Sequence, residues 1–75
     1  MIVSFEKTTR GACVAGEWRT AATHEYAVYA DRAGRWAAVH VVEYGEWNEY
    51  TEEEARDYFP AALVSAIDAI LKGGI

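Results

Sequence analysis

Thr51-Glu52-Glu53-Glu54 divides this chain in two. A threonine with a glutamate three residues on is a capping box: the hydroxyl accepts from a first-turn N–H, and the carboxylate reaches back to the N–H of the cap. Three acids in the first turn also suit the positive end of a helix dipole. A helix starts here, so whatever precedes it must bury its apolar side chains another way. The single proline, Pro60, disfavours α geometry at Phe59. The spacing therefore predicts a short helix over 52–58 and a second with Pro60 at its first position. On that second helix Leu63, Ile67, Ile70 and Leu71 recur at i, i+4, i+7 and i+8 and make one apolar stripe, which Gly73-Gly74 ends.

Before Thr51 the period is two. Met1, Val3 and Phe5 alternate with Ser4 and Glu6, and Thr8-Thr9-Arg10-Gly11 reads as a type I turn closed by a glycine with positive φ. Residues 12–18 then return antiparallel, with Gly16 the place for a bulge. A clearer hairpin follows: 24–30 and 35–44 flank Asp31-Arg32-Ala33-Gly34, with Asp and Gly where a type I turn with a glycine bulge needs them. This register sets Val28 opposite Ala38, Tyr26 opposite His40 and His24 opposite Val42. One face would carry His24, Tyr26, Val28, Trp36, Ala38, His40 and Val42. The other, with Ala27, Tyr29, Ala37, Val39 and Val41, is small and β-branched and is the expected seat of the helix. The expected fold is α+β: an antiparallel sheet of three to four strands, a meander, then a C-terminal helical segment packed on one face, as a single domain over 1–75.

A chain of 75 residues buries only about 60% of its unfolded surface, so most large apolar side chains must join the core. With 52% apolar and 13% aromatic residues it is globular rather than disordered. The net charge of −5 is local. Seven of the twelve acids lie between Glu43 and Asp57, opposed there by Arg56 alone, giving −6; elsewhere six Lys or Arg against five Asp or Glu sum to +1. Such a balance argues against direct nucleic-acid binding, which needs clustered cations, and against an anionic membrane surface. No apolar run approaches the roughly 20 residues of a membrane span. The first residues lack the pattern of a signal peptide, and Cys13 is the only cysteine, so a cytoplasmic location is expected.

Enzyme-like constellations are sparse. His24 and His40 are diagonal neighbours in the expected register, without a third ligand at zinc spacing, and read better as polar members of a sheet face; no metal or cofactor is expected. Ser4 and Ser65 lack a glycine elbow. Cys13 reads as a small hydrophobe in a strand rather than a catalytic thiol. No glycine-rich loop precedes a helix. The arginines are spread over turns and edges, where Arg10, Arg32 and Arg35 cluster only if the two hairpin turns are neighbours. The carboxylates crowd one exposed stretch instead of lining a cleft in contrasting environments, and no catalytic residue is assigned.

The acidic–aromatic stretch has two readings. In one it is a solvated connection whose Glu52, Glu53 and Glu54 cap a helix while Tyr44, Trp47, Tyr50 and Tyr58 fold back into the core. In the other, Glu43, Glu46 and Glu49, recurring every third residue in step with Tyr44, Trp47 and Tyr50, form a binding surface. Tyr and Trp are enriched at binding hot spots, and acids around them give charge complementarity toward a basic partner. A groove that normally holds nucleic acid is one such partner, with carboxylates taking the places of phosphates. The candidate contacts are Glu43, Tyr44, Glu46, Trp47, Glu49, Glu52, Glu53 and Asp57. Two alternatives come from other classes: a homo-oligomeric accessory subunit, a homodimer in the simplest case, burying a Tyr26/Trp36/His40 face, and a small metal or thiol enzyme using His24, His40 and Cys13.

In size, acidity and strand-strand-strand-helix order the chain resembles small phage-encoded inhibitors, especially the anti-CRISPR proteins that act on type I surveillance complexes. The similarity is one of format and spans the strands through Tyr44, the acid-rich Thr51 to Asp57 and the helix to Lys72. It implies binding to a Cascade-type complex in the host cytoplasm and obstruction of target DNA. Glu43, Glu46, Glu49, Glu52, Glu53 and Asp57 would then meet lysines and arginines.

Overall fold

The computed structural model describes residues 2–8 and 11–73, and only the backbone at 2, 3, 7 and 8. Met1, the Thr9-Arg10 turn tip with the proposed Arg10 cluster, and Gly74 lie outside the described residues. Among the described residues five strands, β1 (Ile2–Thr8), β2 (Gly11–Arg19), β3 (Thr23–Ala30), β4 (Trp36–Glu43) and β5 (Glu46–Tyr50), pair in chain order as one antiparallel meander. Helices α1 (Glu52–Tyr58) and α2 (Ala61–Gly73) follow. The sheet has one strand more than expected, because β5 lies in the stretch read as a connection.

Local chemistry accounts for the joints. Gly34 sits at φ 82°, its N–H donating to the Asp31 carbonyl at 3.0 Å, while Asp31 Oδ1 accepts from the Ala33 and Arg35 N–H groups at 2.9 and 3.0 Å. Gly11 takes the positive φ expected of it, 128°. Gly16, in contrast, pairs in continuous register on both sides and marks no bulge. The capping box is complete: Thr51 Oγ1 accepts from the Glu54 N–H at 3.1 Å, and Glu54 Oε1 from the Thr51 N–H at 3.0 Å. Phe59 ends α1 in extended geometry (φ −73°, ψ 147°), as the following proline demands. The Pro60 carbonyl accepts from the Val64 N–H at 3.1 Å, so Pro60 is the cap of α2, and the helix starts at Ala61, one residue later than expected.

The bulge lies in β4 instead. Tyr29 faces Ala38 while Ala30 faces Trp36, which leaves Ala37 as an extra residue. Beyond it the register moves by one from that expected: Val28 pairs with Val39, Ala27 with His40 and Tyr26 with Val41. A one-residue slip exchanges the two faces of a strand. Tyr26, Val28, Trp36, Val39 and Val41 therefore share the side under the helices, whereas Ala27, Tyr29, Ala38 and His40 share the open side. The expected helix seat on Ala27, Tyr29 and Ala37 is corrected accordingly. Size explains the outcome, since a core this thin gains most by gathering the large rings of Trp18, Tyr26 and Trp36 on one side. Trp18, Tyr26 and Trp36 are at most 5% exposed. The Phe59 ring lies within 6.0 Å of all three, centroid to centroid.

Leu63, Ile67 and Leu71 of the α2 stripe are buried, with Ile70 packed at their edge. A polar clamp joins the two helices. Arg56 donates from both terminal nitrogens to Asp68 at 2.9 and 3.0 Å and from Nε to Glu52 at 2.8 Å, and its guanidinium lies 4.4 Å from the centroid of the Trp36 ring. The Trp36 indole N–H donates to the same Asp68 at 3.0 Å. Arg56 holds the Asp68 carboxyl below its ordinary pKa against the opposing effect of burial, with Trp36 assisting. A carboxyl lowered by folding stabilises above its unfolded pKa of about 4 and loses that contribution as pH falls through its folded value. Asp31 and Glu54, lowered mainly by backbone N–H donors, act with the same sign. Urea midpoints are therefore expected to fall as pH drops below about 4. Asp68→Asn is expected to cost about 1–2 kcal/mol at pH 7, the clamp being partly solvated, and to flatten that acid limb.

Candidate interaction surface

The acid-rich stretch folds as the last edge of the sheet and the start of α1. Tyr44 and Gly45 form the two-residue link from β4 to β5, both left-handed at φ 52° and 80°, the signature of a type I′ hairpin. Asparagine is the usual first residue there, and tyrosine in its place hides the signal. Because side chains alternate along a strand, the three-residue spacing does not gather Glu43, Glu46 and Glu49 on one side. Glu43 faces Glu46 across the hairpin on the helix side; Glu49 faces His40, and Trp47 faces Val42, on the open side. The candidate residues thus form a two-sided rim.

Their surroundings differ. Glu43 is half-buried and accepts the Tyr50 hydroxyl. Glu52 is held by Arg56, so the cap and the clamp account for it. Glu49 Oε2 approaches His40 Nε2 at 3.4 Å. Glu46, Glu53 and Asp57 are exposed and form no ion pair among the described residues. Of the aromatics, Tyr50 packs against the core and Tyr58 stacks on it at 5.5 Å, whereas Trp47 and Tyr44 are 58% and 104% exposed. Tyr50 thus folds back, while Trp47 and Tyr44 stay in water.

The open side of the sheet holds what the sequence reading missed. Tyr29, His40 and Trp47 form a row of edge-to-face rings across β3, β4 and β5, with centroids 5.5 and 6.3 Å apart. Glu6, Glu17, Glu25 and Glu49 share that side, Glu17 directly opposite Glu25. The alternation in the sequence would have set Tyr29 beside His40 had the bulge at Ala37 been foreseen, and Trp47 joins them through β5.

The two histidines lie on opposite faces, which corrects their expected proximity. His24 stacks on Trp18 at 4.7 Å beneath the helix layer, and His40 is on the open side. Among the described residues no three His, Cys, Asp or Glu side chains converge as metal ligands. Burial and the nearby Glu6 push the Cys13 thiol up, partly offset by a hydrogen bond with Tyr29, the reverse of what activates a thiolate nucleophile. No described helix is long and apolar enough to cross a membrane.

Known protein families, curated proteins and solved structures offer no match to the chain or its fold.

A bulky residue at positive φ costs roughly 1–2 kcal/mol, and the exposed Tyr44 ring returns none of it through packing. Tyr44→Asn is expected to stabilise the free protein by about 1 kcal/mol, measured as a higher urea midpoint at unchanged slope. A lower midpoint would mean that the ring supports the fold after all.

Proposed function

We propose that this protein is a small interaction inhibitor without chemistry of its own, whose acidic rim docks on a basic surface that otherwise holds nucleic acid. The observation that carries this reading is the exposure of Glu46, Trp47, Glu49, Glu53 and Asp57 along one sheet edge and the adjoining helix, where neither the cap nor the clamp engages the four carboxylates. Carboxylates on both sides of an edge strand suit a groove that wraps the edge, and Trp47 supplies apolar contact. A type I CRISPR surveillance complex is the first partner to test, with the protein acting as a phage-encoded inhibitor in the host cytoplasm.

The test is competition. Added protein is expected to displace target DNA from the purified complex, and the combined Glu46→Lys, Glu49→Lys and Glu53→Lys variant to lose at least 100-fold in potency while melting normally. Potency is also expected to fall steeply between 50 and 200 mM salt, because exposed charges are screened over about 10 Å at 0.1 M. Full potency in the triple variant would remove the rim from the mechanism. No displacement by the wild type would remove this partner.

One observation favours a second reading, a homo-oligomeric accessory subunit. The Tyr26/Trp36 part of the expected association face lies under the helices, but the Tyr29–His40–Trp47 row is an aromatic surface of the kind that pairs with a copy of itself. A strict monomer at micromolar concentration in sedimentation removes that reading.

A further inference from the structure

The strands β3 and β4 part company at one end. Their register runs only from Ala30 back to Tyr26; Thr23, His24 and Glu25 pair with β2 alone, while Val42 and Glu43 turn to β5. The gap is a cleft of 310 Å³ between the β2–β3 link, the end of β4 and the last residue of α1, at the lower end of the about 300–1,000 Å³ usual for small-ligand sites. Its lining includes Thr23, His24, Val42, Glu43, Tyr44 and Tyr58.

Glu43 is the one carboxylate of this lining, and His24 its one basic side chain. Tyr58 is held by three rings, stacked on Tyr50 and edge-on to Trp18 and His24 at 5.8 and 6.1 Å, so its position is fixed although 41% of it stays accessible. Beside it Glu43 accepts the Tyr50 hydroxyl at Oε1; among the described residues no cation pairs with Glu43, and Glu46 faces it across the hairpin. Glu43 and Tyr44 both hold the Tyr58 hydroxyl above its ordinary pKa, behind the larger effect of burial. Of the basic side chains near the lining, His24 pairs its Nε2 with Thr20 Oγ1 at 3.2 Å, and Arg19 donates its Nε to Thr23 Oγ1 at 3.2 Å, so neither is engaged with Glu43. A half-buried carboxylate without a counter-ion, next to a fixed aromatic ring, is the arrangement that attracts an organic cation.

We propose that this cleft binds the head of an organic cation, a guanidinium or an alkylated ammonium, with Glu43 as its counter-ion and Tyr58 as its aromatic wall. The cleft shares Glu43 and Tyr44 with the docking rim but does not depend on the partner suggested for it, since a small cation can occupy it in the isolated protein.

Titration of isotopically labelled protein with N-acetylarginine methylamide, and separately with tetramethylammonium, tests this by NMR. Saturable shifts are expected at the Trp18 indole N–H, His24 and Tyr58, with millimolar affinity. Glu43→Gln, which retains an acceptor for Tyr50, is expected to weaken binding about tenfold, and Tyr58→Leu to weaken it comparably, both with normal melting curves. Binding of the arginine derivative alone would identify a protein side chain as the occupant, and binding of tetramethylammonium alone a free quaternary amine; both support the site. The proposal is overturned if neither cation gives saturable shifts, if N-acetylalanine methylamide binds as well, or if Glu43→Gln binds unchanged. DNA displacement is read in a separate assay, so loss of the cation site and loss of the docking reading are distinguishable.

Discussion

Phe59 is the residue on which the architecture turns. Pro60 forbids it a helical backbone, and the extended conformation it adopts instead ends α1 and redirects the chain into α2. The same turn drives its ring between Trp18, Tyr26 and Trp36. One backbone constraint therefore sets both the angle between the helices and the centre of the core. Two helices meeting at a break can straddle bulky rings that a single straight helix would have to exclude, which is why the side bearing Trp18, Tyr26 and Trp36 is the covered one. The Arg56–Asp68 clamp closes the joint from outside, and by stacking on Trp36 it ties both helices to β4.

What could be read from the residues follows the range of the interactions involved. The limits of α1, the type I turn at Asp31 and the stripe of α2 depend on neighbours within a few positions, and the structure has them as expected. The side assignments failed at Ala37, because a bulge in β4 is fixed by which rings must be buried across the whole sheet. The strand β5 was hidden by a tyrosine where type I′ turns prefer asparagine. For the candidate surface, the residues Glu46, Trp47 and Glu49 were legible as an exposed acidic–aromatic run, but their distribution over two faces was not: a three-residue period says nothing about sides until the strand is known. The cleft at Glu43 was out of reach for the same reason, being made by strands that diverge.

Charge and structure are separable in the acid-rich stretch. Glu52 and Glu54 are consumed by the helix start, one through Arg56 and one through Thr51. Glu43 belongs to the cleft. Glu46, Glu49, Glu53 and Asp57 remain as a rim whose charge the fold does not require. An edge strand bearing carboxylates on both sides also resists edge-to-edge pairing with another sheet.

Glu17 opposite Glu25, and Glu43 opposite Glu46, place like charges on directly facing positions of neighbouring strands. Each such pair works against the sheet; the Tyr50 hydroxyl donated to Glu43 relieves one of them, and dissolved ions screen both. Ionic strength consequently acts with opposite signs on the fold and on the proposed docking: salt screens the repulsion within the isolated sheet and would loosen the hold of the rim on a basic partner. A cationic surface of the kind proposed as partner would take over the task of the ions at Glu43 and Glu46, so that the folded state would be most secure when it is least alone.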